Sequence, residues 1–258
     1  MDMPRDNDSF EIYLDNFTDF PSLIIVRSVE LKHFPKEYIK EPVLDLCCGD
    51  GFFAKALGLK NAYGCDIDLS ALEKARRFKD VYKEVEFCDA RTLEKFPSNF
   101  FNTVISNCAL EHVDGIELAL ESISRVLKKG GVLIFTVPSE NLNKWFPGSK
   151  DKLFKYNKRQ MHLNIYSIDD WKGLLTKNGF EVEEFFYLFN EKQYRIAIFF
   201  DALPELLPKP IFALYYIMIK LLPKSIKKII FRIALKPIYY NSQVGDTGGE
   251  LVIVARKK

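Results

Sequence analysis

The sequence predicts an α/β protein on a doubly wound, mostly parallel sheet, and three observations carry the prediction. Short apolar runs recur along the first half of the chain, each separated from the next by a stretch of helical length. The first run breaks directly into a glycine-rich turn, Cys47-Cys48-Gly49-Asp50-Gly51. Successive runs then end on polar side chains, at Asp66, Asp89 and Asn107. In an open parallel sheet the C-terminal strand ends face one crevice, where ligands bind.

The elements follow in order. Phe10 to Phe34 mixes aromatics with acids and holds Pro21-Ser22 before a helical Leu23 to Leu31; residues 1–40 are expected to form a helical cap over the ligand pocket or the sheet edge. Val43 to Leu46 is the first strand, and helix-forming residues resume at Ala54 to Leu57. Glycines in that turn let backbone N–H groups approach a ligand that a Cβ would exclude. Asp45 lies inside the strand, where a carboxylate would repel a pyrophosphate and attract a cationic amine, which argues against a dinucleotide. Ala62 to Asp68 is a second strand, and Asp66 stands about 20 residues past Asp45, the interval at which such sites hold a ribose diol. Val85 to Cys88 leads to Asp89-Ala90, and Asn102 to Asn107 leads to Leu110-Glu111-His112-Val113. Apolar residues at 116, 120, 123 and 127 mark one face of a helix. Lys129-Gly130-Gly131 turns into a fifth strand through Phe135, followed by a polar, aromatic loop from Glu140 to Met161, long enough to be functional. His162 closes that loop, Ser167-Ile168-Asp169-Asp170 caps a helix to Lys177, and Phe180 to Leu188 and Glu250 to Ala255 are the last two strands.

At 258 residues, 48% hydrophobic and 28% charged, the chain suits one globular α/β domain with an elaboration and excludes a disordered one. The start, Met1 to Asp6, has no cationic stretch leading into an apolar one, so a cytoplasmic protein is expected. All five cysteines precede residue 110 and none has CxxC spacing; neither a disulfide framework nor a metal centre is expected.

The ordered series Asp45 to Gly51, Asp66, Asp89, Asn107 to His112 and Leu127 to Phe135 resembles the class I S-adenosylmethionine-dependent methyltransferases over roughly the first two thirds of the chain. The resemblance implies a seven-stranded sheet with an antiparallel last strand, a core of residues 41–189 and 246–258, and S-adenosylmethionine as cofactor. It implies that Cys47, Gly49 and Gly51 line the methionine portion and that Asp45 orients its amino group. Asp66 with Ile67 would take the ribose, Asp89 with Ala90 the adenine, and Ser106 and Asn107 would line the pocket floor. Cys47 stands where many members have glycine, and the resulting Asp-Leu-Cys-Cys-Gly form looks like the quinone-biosynthesis branch.

Residues 190–245 form a helical insertion before the last strand. Pro210 to Ile219 is continuously apolar, and Ile226, Ile229, Ile230 and Ile233 recur at helical spacing. Lys220, Lys224, Lys228, Arg232 and Lys236 are each four apart, a basic stripe opposite the isoleucines that Pro223 interrupts. Leu206 to Tyr240 holds seven cations and no acid. An interfacial amphipathic pair fits, with the basic face among anionic headgroups. A lid or homodimer surface is the alternative. Nucleic acid is disfavoured because large aliphatics, not base-stacking residues, interleave the stripe. The expected function is O-methylation of an amphiphilic or lipid-linked acceptor, a lipid-linked glycan first, at the inner face of the cell membrane. That choice rests on the placement of His162 and the insertion, which resemble methyltransferases of cell-surface polysaccharide pathways. His162 and His112 are the candidate bases, since the ordinary imidazole pKa of ~6.5 suits proton removal near neutrality. A soluble small-molecule methyltransferase and a non-catalytic membrane-attached scaffold are the competing classes.

Overall fold

The computed structural model describes residues 8–258; the polar start from Met1 to Asp6 lies outside the described residues. Helices α1 (Ser9–Asn16) and α2 (Pro21–His33) precede β1 (Val43–Leu46), α3 (Phe52–Leu57), β2 (Ala62–Asp66), α4 (Leu69–Ala75) and β3 (Tyr82–Phe87). Next come β4 (Phe101–Asn107), α5 (Ile116–Val126), β5 (Leu127–Pro138), α6 (Asn141–Trp145), α7 (Lys150–Gln160) and α8 (Ile168–Lys177). The chain ends with β6 (Phe180–Leu188), α9 (Glu191–Asp201), α10 (Leu203–Leu206), α11 (Lys209–Leu221), α12 (Lys224–Tyr240) and β7 (Glu250–Lys257).

The seven strands form one sheet in the order β3-β2-β1-β4-β5-β7-β6. The first five pair in parallel, and β7 runs antiparallel to β5, with Phe135 opposite Ile253. Strand order reverses on either side of β1, which places the crevice at the ends of β1, β2 and β4. Strand β1 is buried along its whole length, as a central parallel strand must be. Leu44, Leu46, Val104, Leu133 and Phe135 pack from the sheet into one core with Ile123, Trp171 and Ile253. The foreseen cap of α8 is present: Ser167 and Asp170 exchange side-chain and backbone hydrogen bonds.

Two compact units make up the chain. The sheet unit comprises residues 34–140, 161–187 and 250–258, and the helical unit comprises residues to 33, 141–160 and 188–249. The N-terminal helices and the insertion share the helical unit with 141–160. That last segment is two helices and not the expected loop. Its sequence hides them because α7 buries only Tyr156. What holds α7 is polar: Tyr156 Oη donates to Asp201 at 2.8 Å, Arg159 pairs with Glu205 at 2.7 Å, and Lys152 Nζ donates to the Leu206 carbonyl at 2.8 Å.

Within the helical unit, α12 buries Lys227, Phe231, Leu235 and Tyr239, one residue per turn. Beside that face the basic stripe meets an acidic series that runs from the N-cap of α1 to just past its end. Lys236 pairs with Asp8 and Glu11 at 3.2 and 2.6 Å, Arg232 with Glu11 at 2.8 Å, Lys228 with Asp15 at 2.6 Å, and Lys227 with Asp19. Acid numbers rise as cation numbers fall, so the two segments run antiparallel. The Arg232 hydrogen bond, with Lys236 beside it, holds the Glu11 carboxyl down at about 2. Three members of the stripe expected to face headgroups are therefore bound to carboxylates of their own chain.

Candidate active site

Every residue of the candidate site belongs to the sheet unit. The turn after β1 needs its glycines for different reasons. Gly51 has φ +78°, and a Cβ there would lie 2.8 Å from Tyr82 Cε2 and 3.2 Å from Ala75 Cα. Gly49 has φ +54° and no protein atom within 4 Å of where its Cβ would be. That open side is a cradle for ligand atoms. Cys47 takes φ +55°, a left-handed conformation costing a side-chain-bearing residue about 1 kcal/mol, so this chain keeps the turn while carrying a cysteine.

Asp66, at the end of β2, is tied to that turn. Gly49 N–H donates to its Oδ2 and Asp68 N–H to its Oδ1, both at 2.9 Å. Each oxygen keeps a second lone pair, which suits a carboxylate that accepts from two neighbouring hydroxyls. Ile67 beside it is 65% exposed, apolar surface left at the lip of the crevice.

Asp45 is held from below by a tyrosine. Its side chain is buried under the turn, and Tyr82 Oη donates to its Oδ2 at 2.5 Å. Burial raises the Asp45 pKa to about 7, the Tyr82 hydroxyl pulls it down, and the nearby Asp66 charge adds to the rise. Tyr82 opens β3 and its ring also lies within 3.0 Å of where a Gly64 Cβ would stand. One tyrosine thus supports two glycines and fixes the carboxylate. Sequence reasoning missed it: Tyr82 lies ahead of the expected strand start at Val85, and nothing local marks a residue whose partner is 37 positions away.

Asp89 follows β3 with both oxygens engaged by Arg91, whose Nη2 donates to Oδ2 at 2.6 Å. These Arg91 bonds hold its pKa below the ordinary carboxylate range. An adenine amine would share Asp89 with Arg91. Ala90 is buried beside it. On β4, Ser106 is fully buried and its Oγ has no hydrogen-bond partner among the described residues, while Asn107 is half-buried at the strand end. A ligand hydroxyl or amine at the pocket floor would satisfy Ser106. The thiols of Cys47 and Cys48 are held well above the ordinary range by burial and then by Asp66 and Asp45; they stay neutral and are poor nucleophiles.

The two histidines meet. Their rings stack with centroids 5.3 Å apart and planes 17° from parallel. His112 Nδ1 lies 3.3 Å from the Met161 carbonyl and Nε2 lies 3.6 Å from the buried Glu111 carboxylate. The segment carrying His162 is clipped to the turn after β4: Leu163 and Asn164 N–H donate to the Glu111 carbonyl at 2.8 and 3.0 Å, and Asn164 Nδ2 donates to the Leu110 and Val113 carbonyls at 2.8 Å. Residues 50 apart in the chain form a paired imidazole with a carboxylate behind it. Asn164 was not foreseen; a buried amide between His162 and Ile165 was the available signal.

Comparison with known proteins bears on the family and the fold. Residues 27–184 match the family model described as a methyltransferase domain. An uncharacterized methyltransferase of Mycobacterium bovis is 34% identical over 109 residues, 40% of this chain and 55% of that protein. A demethylmenaquinone methyltransferase of Leptospira interrogans is 31% identical over 156 residues, 54% of this chain and 61% of that protein. The chain thus spans about half the length of the curated relatives it matches. Among solved structures, a methyltransferase of Thermotoga maritima described as a possible histamine N-methyltransferase superposes with TM-score 0.59, covering 97% of this chain and 100% of that one at 19% identity. At that identity the likeness speaks for the fold alone.

Proposed function

The chain belongs to the class I S-adenosylmethionine-dependent methyltransferase family, and from that premise we propose that it methylates an oxygen of an amphiphilic or membrane-held acceptor, a lipid-linked glycan first among them, at the inner face of the cell membrane. The observation that carries the oxygen acceptor is the His112–His162 pair backed by Glu111. Family membership makes S-adenosylmethionine the cofactor, and the open side of Gly49, the oriented Asp66 carboxylate and the buried, unpartnered Ser106 Oγ fit it. When bound, it supplies an electrophilic methyl on a sulfonium.

The protein's part is positioning and proton removal. Asp66 would hold the ribose end, and the glycine turn would admit the methionine end against backbone. His162 would accept the acceptor's hydroxyl proton, and His112 stacks on it to hold the ring in one orientation. Glu111 faces the positive charge that proton uptake leaves on the pair. The apolar surface of α11 and α12 supports an amphiphilic acceptor.

The test is methyl transfer from labelled S-adenosylmethionine into a membrane extract, followed by partition between organic and aqueous phases. Label in the organic phase supports the proposal. Label only in the aqueous phase replaces it with a soluble acceptor. Full turnover by His162→Gln with intact cofactor binding removes that residue from the mechanism.

A further inference from the structure

Helix α11 is apolar around most of its circumference yet buries none of its residues. Ile211, Leu214, Ile217 and Met218 are each more than half exposed, and Leu221 is 78% exposed. Ile226, Ile229, Ile230 and Ile233 of α12 are exposed as well. A helix hydrophobic on all sides is normally covered, and a contiguous apolar surface of this kind marks an interaction site. At ~1.5 Å per residue, α11 reaches about 20 Å, short of the ~30 Å of a bilayer core. No helix of the described residues is long and apolar enough to cross a membrane.

Charge identifies the occupant. The α12 cations bound to Asp8, Glu11, Asp15 and Asp19 are already neutralised. Lys209 and Lys220 at the two ends of α11 and Lys224 at the start of α12 remain, exposed and without an ion pair among the described residues. Residues 206 to 240 contain no acid, so a second copy docked through this face would set these lysines against their equivalents with no carboxylate from the segment to answer them. A phosphate-bearing headgroup layer answers them directly. Tyr216, with the Lys220 ammonium 4.6 Å over its ring, is the amphipathic type of side chain that settles at a membrane interface.

We propose that α11 and the outward face of α12 dock on a lipid surface, lying in its plane with the isoleucines and Leu221 in the acyl boundary and Lys209, Lys220 and Lys224 among the headgroups. The inference rests on the membrane-held acceptor proposed above and adds how the protein reaches it. Apolar burial drives the docking, and Lys227, Lys228, Arg232 and Lys236 of α12 take little part because acids in and around α1 hold them.

Sedimentation of the full chain with vesicles tests this, using phosphatidylcholine alone and phosphatidylcholine mixed with phosphatidylglycerol. Binding to both is expected, with an anionic preference within about tenfold that added salt removes. The double substitution Ile217→Asp, Leu221→Asp should lower partitioning by more than ~100-fold, with the melting temperature unchanged because both residues are exposed. Binding confined to anionic vesicles and abolished by salt would overturn the proposal, since charge and not apolar burial would then hold the protein. So would absence of vesicle binding together with a concentration-dependent dimer that the double substitution dissolves. Stabilisation by S-adenosylmethionine, measured on the same preparation, reports the cofactor site separately: vesicle binding without it would sink the enzymatic proposal and leave this surface standing.

Discussion

Replacing Tyr82 by Phe removes one oxygen and leaves the ring that supports Gly51 and Gly64. The lost hydrogen bond, at 2.5 Å to a buried carboxylate, is of the charge-assisted kind worth about 1.5–3 kcal/mol. At 1.36 kcal/mol per pKa unit, its removal should lift the Asp45 pKa from about 7 by roughly one to two units. If ionised Asp45 draws the cofactor's ammonium group, affinity in the wild type rises as pH climbs through about 7 and falls again near ~8, where an α-amino group loses its proton. A shift of about 1.5 units cuts the ionised fraction at pH 7 from about one half to about 3%, so the substitution should weaken binding up to ~15-fold there. The optimum should also be lower and displaced to higher pH. Asp66, Asp50 and the neutral thiols of Cys47 and Cys48 surround the pair, and a change at any of them would not track the tyrosine hydroxyl. Isothermal titration with S-adenosylmethionine from pH 5.5 to 8.5 measures this. Superimposable profiles for wild type and Tyr82→Phe would refute the reasoning, because Asp45 would then not be the group the ligand senses.

Other outcomes follow from the same geometry. Gly49→Ala meets no protein atom, so it should cost only about 1 kcal/mol of stability yet reduce cofactor affinity at least ~10-fold; Gly51→Ala, which would strike Tyr82 and Ala75, should lose about 1–3 kcal/mol in denaturant unfolding as well. The Glu11 pKa is depressed to about 2 by Arg232 and then Lys236, so its stabilisation is present above the unfolded value of ~4.5 and fades as pH falls toward 2. Partial exposure limits it to about 1 kcal/mol, and Glu11→Gln should remove that acid limb from a stability-versus-pH curve. Asp45 has the opposite sign: its raised pKa stabilises the fold below ~3.8 and that contribution is lost as pH rises through about 7. Asn164→Ala, which unties two carbonyls of the turn after β4, should cost about 1–3 kcal/mol and lower turnover through the loosened histidine pair with cofactor affinity kept.

The sheet was legible because each signal for it is local. Apolar runs, Gly49 and Gly51 at positive φ, the Ser167–Asp170 cap and the Pro223 break are set by a residue and its near neighbours, and all appear where the pattern puts them. Asp66 was legible for the same reason, since a strand-end carboxylate needs only its strand. Helix α7 was not, because its anchors Asp201, Glu205 and Leu206 lie some 45 to 54 residues downstream. The stripe on α12 was read as free although its complement, acids at 8, 11, 15 and 19, has matching helical spacing. A stripe with no visible partner and one whose partner lies 200 residues away look identical from inside one segment.

By itself, then, the sequence determined the strand order of motifs, the cofactor-type crevice and an amphipathic insertion, all of which depend on periodicity and backbone chemistry within short windows. Tertiary structure decided which charges were already answered and which polar groups met. It bound Asp45 to Tyr82, stacked His112 on His162, and closed four of α12's cations on acids in and around α1 while leaving its isoleucines outside. These are pairings between distant residues, and their existence depends on the path of the whole chain, which no single segment encodes.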